Sequence, residues 1–215
     1  MPEMKLIDDL KTSSTSKANL LGEFRRKSVH LFALVIPVGY IIVPESPAKL
    51  ILAVCAFLAV LLDLLKYYDK GFRRIFFSIF GKMLRSKEIR RFTSSSYILA
   101  AGLICAFAYA KWVMVISMAF IILGDIAGAI FGKRFGKHKT IGNKTLEGSM
   151  AFFLVAYFGA IAFKLIALPE VPWTALFMGA LTAAVLESMP LGVDDNLSVP
   201  VLTGLLLQLM YVGLF

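Results

Sequence analysis

Long apolar runs broken by short basic segments dominate this chain. Seven runs stand out, at roughly 29–44, 48–65, 96–110, 112–130, 149–168, 173–189 and 198–215. A spanning helix needs about 20 predominantly apolar residues, so the first and third runs are short. The first also contains Pro37, which neighbouring helices in a membrane bundle can accommodate. The pattern predicts an all-α, polytopic membrane bundle of about seven transmembrane helices. A different periodicity appears at 72–83, where Phe72, Ile75, Phe76, Ile79, Phe80 and Met83 recur at helical spacing, flanked by Arg73, Arg74 and Lys82. That stripe predicts either a helix lying in the headgroup layer, with its basic residues over phosphates, or a plain charged connector.

Residues 1–22 read as a flexible polar N-terminal tail, with the run Thr12-Ser13-Ser14-Thr15-Ser16 at its centre. It lacks the short apolar core and small-residue cleavage site of a signal peptide. Residues 23–215 read as one membrane-embedded domain, without linker or repeat.

Composition agrees with the pattern. The chain is 59% hydrophobic and only 17% charged, with a mean hydropathy of +0.78, where soluble domains lie nearer half apolar and a quarter charged. Charge adds sidedness. The segments 1–28, 66–95, 131–148 and 190–197 fall on one side of alternating spans and hold 20 of the 23 Lys and Arg, leaving Lys49, Lys111 and Lys164 on the other. The positive-inside rule therefore places the N-terminus in the cytoplasm. The net charge of +9 then describes one membrane face rather than a nucleic-acid surface. Cys55 and Cys105 lie within apolar runs and read as packing residues. With two scattered histidines they form no zinc signature.

On that sided map the carboxylates Asp125, Glu147, Glu187, Asp194 and Asp195 all fall at the cytoplasmic rim. Asp125 lies about 20 Å along its helix from Trp112 at 1.5 Å per residue, where an ionisable group is expensive and implies a cation, a metal or a functional partner. Glycines at 124, 128, 132 and 136 follow a four-residue repeat. Such a ridge suits close helix packing, or a homodimer if it is exposed. Gly132 and Gly136 are also interleaved with Lys133, Arg134, Lys137, His138 and Lys139, where bare backbone admits a phosphate and cations neutralise it. Neither a P-loop nor a dinucleotide-binding glycine motif is present.

Lys144-Thr145-Leu146-Glu147-Gly148-Ser149 opens the next helix. Thr145 is a natural cap, and a helix start offers N–H groups to an anion. Lys144 sits where the helix dipole disfavours a cation, which suggests something strongly negative held beside it. Asn196 or Ser198 is the expected cap of the last helix, leaving two aspartates more than a cap requires. Asp125, Glu147, Glu187 and Asp194 are candidate ligands for Mg²⁺ or Mn²⁺, since Mg²⁺ usually binds through one or two carboxylates plus substrate phosphates. Arg26, Lys27 and His30 precede or open the first run and are assigned to the lipid substrate, with a basic belt as the simpler reading. Asp63 and Lys66 are expected to pair at a helix end, and Thr93-Ser94-Ser95-Ser96 to cap the third run.

Lysines, bare backbone and carboxylates suit a metal-bound nucleoside triphosphate. Phosphoryl transfer asks for charge neutralisation, placement and a base near the attacking hydroxyl. A site at the membrane rim can meet a lipid alcohol from the bilayer and a nucleotide from the cytoplasm.

The run from Asp125 to Gly136, D-x-x-x-x-x-x-G-x-x-x-G, followed by KTLEGS at 144–149, resembles the signature of the CTP-dependent lipid kinases. That group includes dolichol kinases, phytol kinases and CTP-dependent diacylglycerol kinases. R-K-x-x-H at 26–30, Glu187 before Pro190, and DDNLSVP at 194–200 agree in order. The resemblance implies a transferase, with CTP as donor and a polyprenol, dolichol, phytol or diacylglycerol acceptor. It also implies a CTP site lined by Asp125, Gly132, Gly136, Lys144, Thr145, Glu147 and Gly148. Gly128, Lys133, Arg134 and Lys139 are added as nucleotide-site candidates, and Asp125, Lys144, Glu147, Asp194 and Asp195 as the catalytic set. Gly128 stands where the group often has alanine, and Asn143 where dolichol kinases often have lysine.

Two alternatives remain at this point. A cytidylyltransferase would use the same triphosphate site to make a CDP-lipid. A transporter would place its charges near the bilayer midplane rather than at one rim.

Overall fold

The computed structural model describes Lys27 and residues 30–81, 91–140 and 144–213. The polar tail, Arg26, Lys82, Met83 and Asn143 therefore lie outside the described residues. Among those described, eight helices and no strand occur: α1 (Val35–Ile42, the main part of an apolar helix His30–Ile42), α2 (Glu45–Tyr68), α3 (Lys70–Phe80), α4 (Ser94–Ala108), α5 (Lys111–Phe135), α6 (Leu146–Ile166), α7 (Trp173–Ser188) and α8 (Asp195–Gly213). Each of the seven apolar runs became a helix. Four of them, α2, α5, α6 and α8, are long and apolar enough to cross a bilayer.

α5 is the axis of the bundle. Every residue from Trp112 to Ile122 is buried, as expected of a helix with no polar face. α1, α4, α6, α7 and α8 all pack on it. Glycines set how closely they approach. A Cβ at Gly124 of α5 would come within 2.6 Å of the Phe152 ring of α6, one at Gly179 of α7 within 2.6 Å of Phe120, and one at Gly204 of α8 within 2.5 Å of Tyr109. Small residues that bring backbones together are the usual means of helix association where lipid removes the hydrophobic driving force.

The amphipathic stripe forms α3, held to the end of α2 rather than buried in the bundle. The Asp69 side chain caps it by accepting from the Phe72 N–H at 2.9 Å. Arg73 Nε donates to the Lys66 carbonyl at 2.8 Å, and its guanidinium also reaches the Tyr67 carbonyl. No residue of α3 is buried, and Ile75 and Ile79 are largely exposed.

Asp63 and Lys66 pair as expected, at 2.6 Å, and both are buried. The pair also does more than close a helix end. Asp63 Oδ2 accepts from the Thr93 N–H at 2.7 Å, the Thr93 hydroxyl at 3.1 Å and the Ser96 hydroxyl at 2.6 Å. Lys66 Nζ donates to the Arg91 carbonyl at 2.9 Å. A buried ion pair is tolerated only when its remaining hydrogen-bonding capacity is satisfied. Here it ties the end of α2 to the start of α4.

Candidate functional site

Five parts of the chain bring charged groups together beside the second half of α5. Asp125 lies just past the middle of that helix and accepts a hydrogen bond from the Lys27 ammonium, which also donates to the Asp125 carbonyl at 3.0 Å. His30 Nε2 stands 3.6 Å from the same carboxylate oxygen. Lys27 is only 4% exposed. A lysine and a histidine assigned from sequence to the lipid substrate are therefore also the neighbours of Asp125.

A second set meets around Lys144. Its ammonium holds Glu187, at the end of α7, and Asp195, the first residue of α8, the latter at 3.2 Å. Burial pushes the Lys144 pKa down, but the two carboxylates outweigh it and hold the group above the ordinary lysine value. The charge of Asp125 is felt at both Glu187 and Asp195, so the two sets form one cluster. The negative partner expected beside Lys144 is thus supplied by the protein itself.

The start of α6 is more closed than an open anion cradle. Thr145 caps it, its hydroxyl accepting from the Gly148 N–H at 3.2 Å. The Leu146 N–H donates to the His138 carbonyl at 2.9 Å. Glu147 turns away from Lys144. It receives the His138 backbone N–H at 3.2 Å and pairs with His138 Nδ1 at 2.7 Å. With the antiparallel bridge between Lys139 and Thr145, this folds the basic segment after α5 back over the start of α6. Lys133, Arg134, Lys137, His138 and Lys139 stay exposed.

The glycine repeat is taken up inside the chain. A Cβ at Gly128 would meet the Gly148 carbonyl at 3.3 Å, one at Gly132 the Thr145 hydroxyl at 3.1 Å, and one at Gly136 the same hydroxyl at 2.8 Å. The ridge from Gly124 to Gly136 thus seats α6 on α5, and its inner face is not available to a second copy. Asp194, rather than Asn196 or Ser198, caps α8. Its carboxylate accepts from the Asn196 N–H at 3.2 Å and its carbonyl from the Leu197 N–H at 2.9 Å. The Ser149 hydroxyl, in the first turn of α6, is buried with no hydrogen-bond partner among the described residues. It closes the KTLEGS run but was not among the site residues expected from the sequence.

Among the described residues no three carboxylate, imidazole or thiol groups are already arranged to hold a metal ion. The donors nearest Lys144 are carboxylates alone, the chemistry that suits Mg²⁺ when phosphate oxygens complete its shell.

The model of the cytidylyltransferase family matches residues 9–188. The chain belongs to that family. The match covers the cluster's Lys27, Asp125, Lys144 and Glu187 and stops before Asp195. Among curated proteins, the chain is 25% identical over 183 residues to an uncharacterized protein of Rickettsia prowazekii (strain Madrid E), covering 83% of this chain and 89% of the other. It is 26% identical over 162 residues to CTP-dependent diacylglycerol kinase 1 of Schizosaccharomyces pombe, covering 69% and 74%. It is 26% identical over 172 residues to the protein of the same name from Eremothecium gossypii, covering 69% of this chain and 54% of that one. No solved structure shows significant similarity to the chain. The resemblance to CTP-dependent lipid kinases read from the motifs is thereby upheld.

Proposed function

We propose that this family member is an integral membrane kinase that transfers the γ-phosphate of CTP to the hydroxyl of a membrane lipid alcohol. The observation that carries the reading is the meeting of Lys144, before α6, with Glu187 at the end of α7 and Asp195 at the start of α8. The relatives named CTP-dependent diacylglycerol kinases support CTP as donor. They also favour a diacylglycerol-type acceptor over the polyprenol, dolichol or phytol that the motifs equally allow.

Seven helices would span the bilayer, with the N-terminus and the cluster on the cytoplasmic side, as the distribution of Lys and Arg requires. The three cations assigned to the opposite side have local partners. Lys49 pairs with Glu45 at 2.6 Å, Lys111 donates to the Ile41 carbonyl at 3.2 Å, and Lys164 donates to the carbonyls of Pro169 and Val171.

In the proposed step the lipid hydroxyl attacks the γ-phosphorus, its proton passes to a carboxylate, and the bond to the β-phosphate oxygen breaks to release CDP. Asp125 is placed as the proton acceptor, with Lys27 and His30 beside it to hold the head of the lipid. Lys144 neutralises charge that builds on the phosphates, the largest contribution a protein makes to such a transfer. Glu187 and Asp195 would hold Mg²⁺, which supplies further neutralisation across the phosphates when bound. Lys133, Arg134 and Lys139 line the cytoplasmic approach, and Glu147 keeps their segment folded over the start of α6.

The purified protein, given γ-labelled CTP, Mg²⁺ and a panel of long-chain alcohols and diacylglycerols, is expected to yield a labelled lipid monophosphate. No labelled lipid with any acceptor would defeat the reading. A second reading follows from the family's description as cytidylyltransferases. In that case the products are a CDP-lipid and pyrophosphate instead of a lipid monophosphate and CDP, and chromatography of the same reaction separates them.

A further inference from the structure

We propose that Lys144 is an internal stand-in for a divalent cation, so that the site admits a metal and a polyphosphate together and resists either alone. This rests on the nucleotide-site reading above and adds the order of events to it. Lys144 Nζ bridges Glu187 and Asp195, the latter at 3.2 Å, with Glu187 almost wholly buried at 6% exposure. The two carboxylates come from different helices, one ending α7 and the other starting α8. Without a cation between them they would repel one another.

A divalent cation arriving alone must displace the ammonium and leave it beside a second positive charge. A polyphosphate arriving alone must draw Lys144 from its carboxylates and leave the buried Glu187 uncompensated, with Asp195 beside it. Removing one partner of a buried pair is the costly event, because the other charge stays behind unpaired. When the two arrive as a complex, the carboxylates take the metal and the ammonium turns to a phosphate oxygen. No charge is stranded. The coupling is reciprocal, as any equilibrium linkage between two ligands must be. Lys144 is well placed to turn, since it precedes α6 and its side chain is 36% exposed.

The test uses the full chain in detergent micelles with Mn²⁺, inorganic tripolyphosphate, and their preformed complex, in the absence of CTP and lipid. Bound Mn²⁺ is counted by electron paramagnetic resonance. The wild type is expected to bind the complex at least tenfold more tightly than Mn²⁺ alone. In Lys144→Gln, Mn²⁺ alone is expected to bind at least tenfold more tightly than it does to the wild type, while the complex binds more weakly. Lys144→Arg should keep the wild-type pattern. Equal affinity of the wild type for Mn²⁺ with and without tripolyphosphate overturns the proposal, and that comparison needs no variant to fold. An unchanged affinity of a folded Lys144→Gln protein for Mn²⁺ alone overturns it too. The outcome is separable from the kinase assay. Coupling without labelled lipid leaves the exchange standing and removes the kinase, and labelled lipid without coupling does the reverse.

Discussion

Lys144 and Asp195 stand 51 residues apart in the chain and meet across 3.2 Å. With Glu187 as the third member, the contact joins the loop before α6 to the facing ends of α7 and α8. Loss of the lysine charge at this point is expected to disable transfer. Lys144→Ala should lower CTP-dependent lipid phosphorylation by about 100-fold or more, the scale on which removal of one group that stabilises developing charge acts. Lys144→Arg should retain part of the activity. Initial rates with γ-labelled CTP, at matched amounts of folded protein, provide the comparison.

The same pair has a pH signature. The Lys144 pKa is raised in the folded protein, with burial opposing and Glu187 and Asp195 prevailing. A raised folded value means that the stabilisation is complete below the unfolded lysine value and is lost as pH rises through the folded one. The thermal midpoint of the wild type should therefore fall in the alkaline range above the ordinary lysine pKa. Lys144→Gln should lack that part of the decline, and superimposable profiles for the two proteins would refute the assignment.

Asp125→Asn tests a buried partner as well as a base. Lys27 would lose its carboxylate while remaining 4% exposed, and breaking a buried pair costs about 3–5 kcal/mol. The variant should lose both transfer and thermal stability. The double variant Asp125→Asn with Lys27→Gln should recover stability without recovering activity, because no buried charge is left unpaired.

Gly124→Ala addresses packing without touching a charge. The new methyl would lie 2.6 Å from the Phe152 ring, and overpacking of this kind costs about 1–3 kcal/mol. Thermal unfolding in micelles should show the loss, and Phe152→Leu in the same chain should restore much of it. If Gly124→Ala alone left the midpoint unchanged, the close seating of α6 on α5 would be wrong.

Asp63→Asn separates scaffold from site. Asp63 binds Lys66, Thr93 and Ser96, and all four residues are buried. Loss of its charge should lower stability by about 3–5 kcal/mol, the cost of breaking a buried ion pair. The KM for CTP of the protein that remains folded should not move. A selective rise in that KM would place the network in the site.

Much of the architecture was legible in the chain because apolar run length and helical periodicity are local properties. All seven runs became helices, and the stripe around Phe72 and Phe76 became α3. Thr145 and Thr93 cap their helices as their positions suggested. The carboxylates at the ends of apolar runs could be collected as candidates from the run pattern alone. Partner choice was not legible, because it depends on which helix ends meet in space. Glu147 and Glu187 read alike as rim carboxylates, yet one pairs with His138 in its own loop and the other with Lys144. The glycine repeat likewise suited a phosphate, a dimer or a neighbouring helix, and that α6 seats on it appears only in three dimensions.

The sequence by itself determined a helical protein with apolar runs of membrane-spanning length, and the motif Asp125 to Gly136 with KTLEGS pointed to its family. Hydrophobic length and motif spacing survive any rearrangement of the helices, so neither needed coordinates. Tertiary structure alone decided that Lys27 faces Asp125, that Lys144 bridges Glu187 and Asp195, and that Asp63 ties α2 to α4. Each of these joins residues from different elements, and the energy of a charge pair depends on separation and burial rather than on distance along the chain.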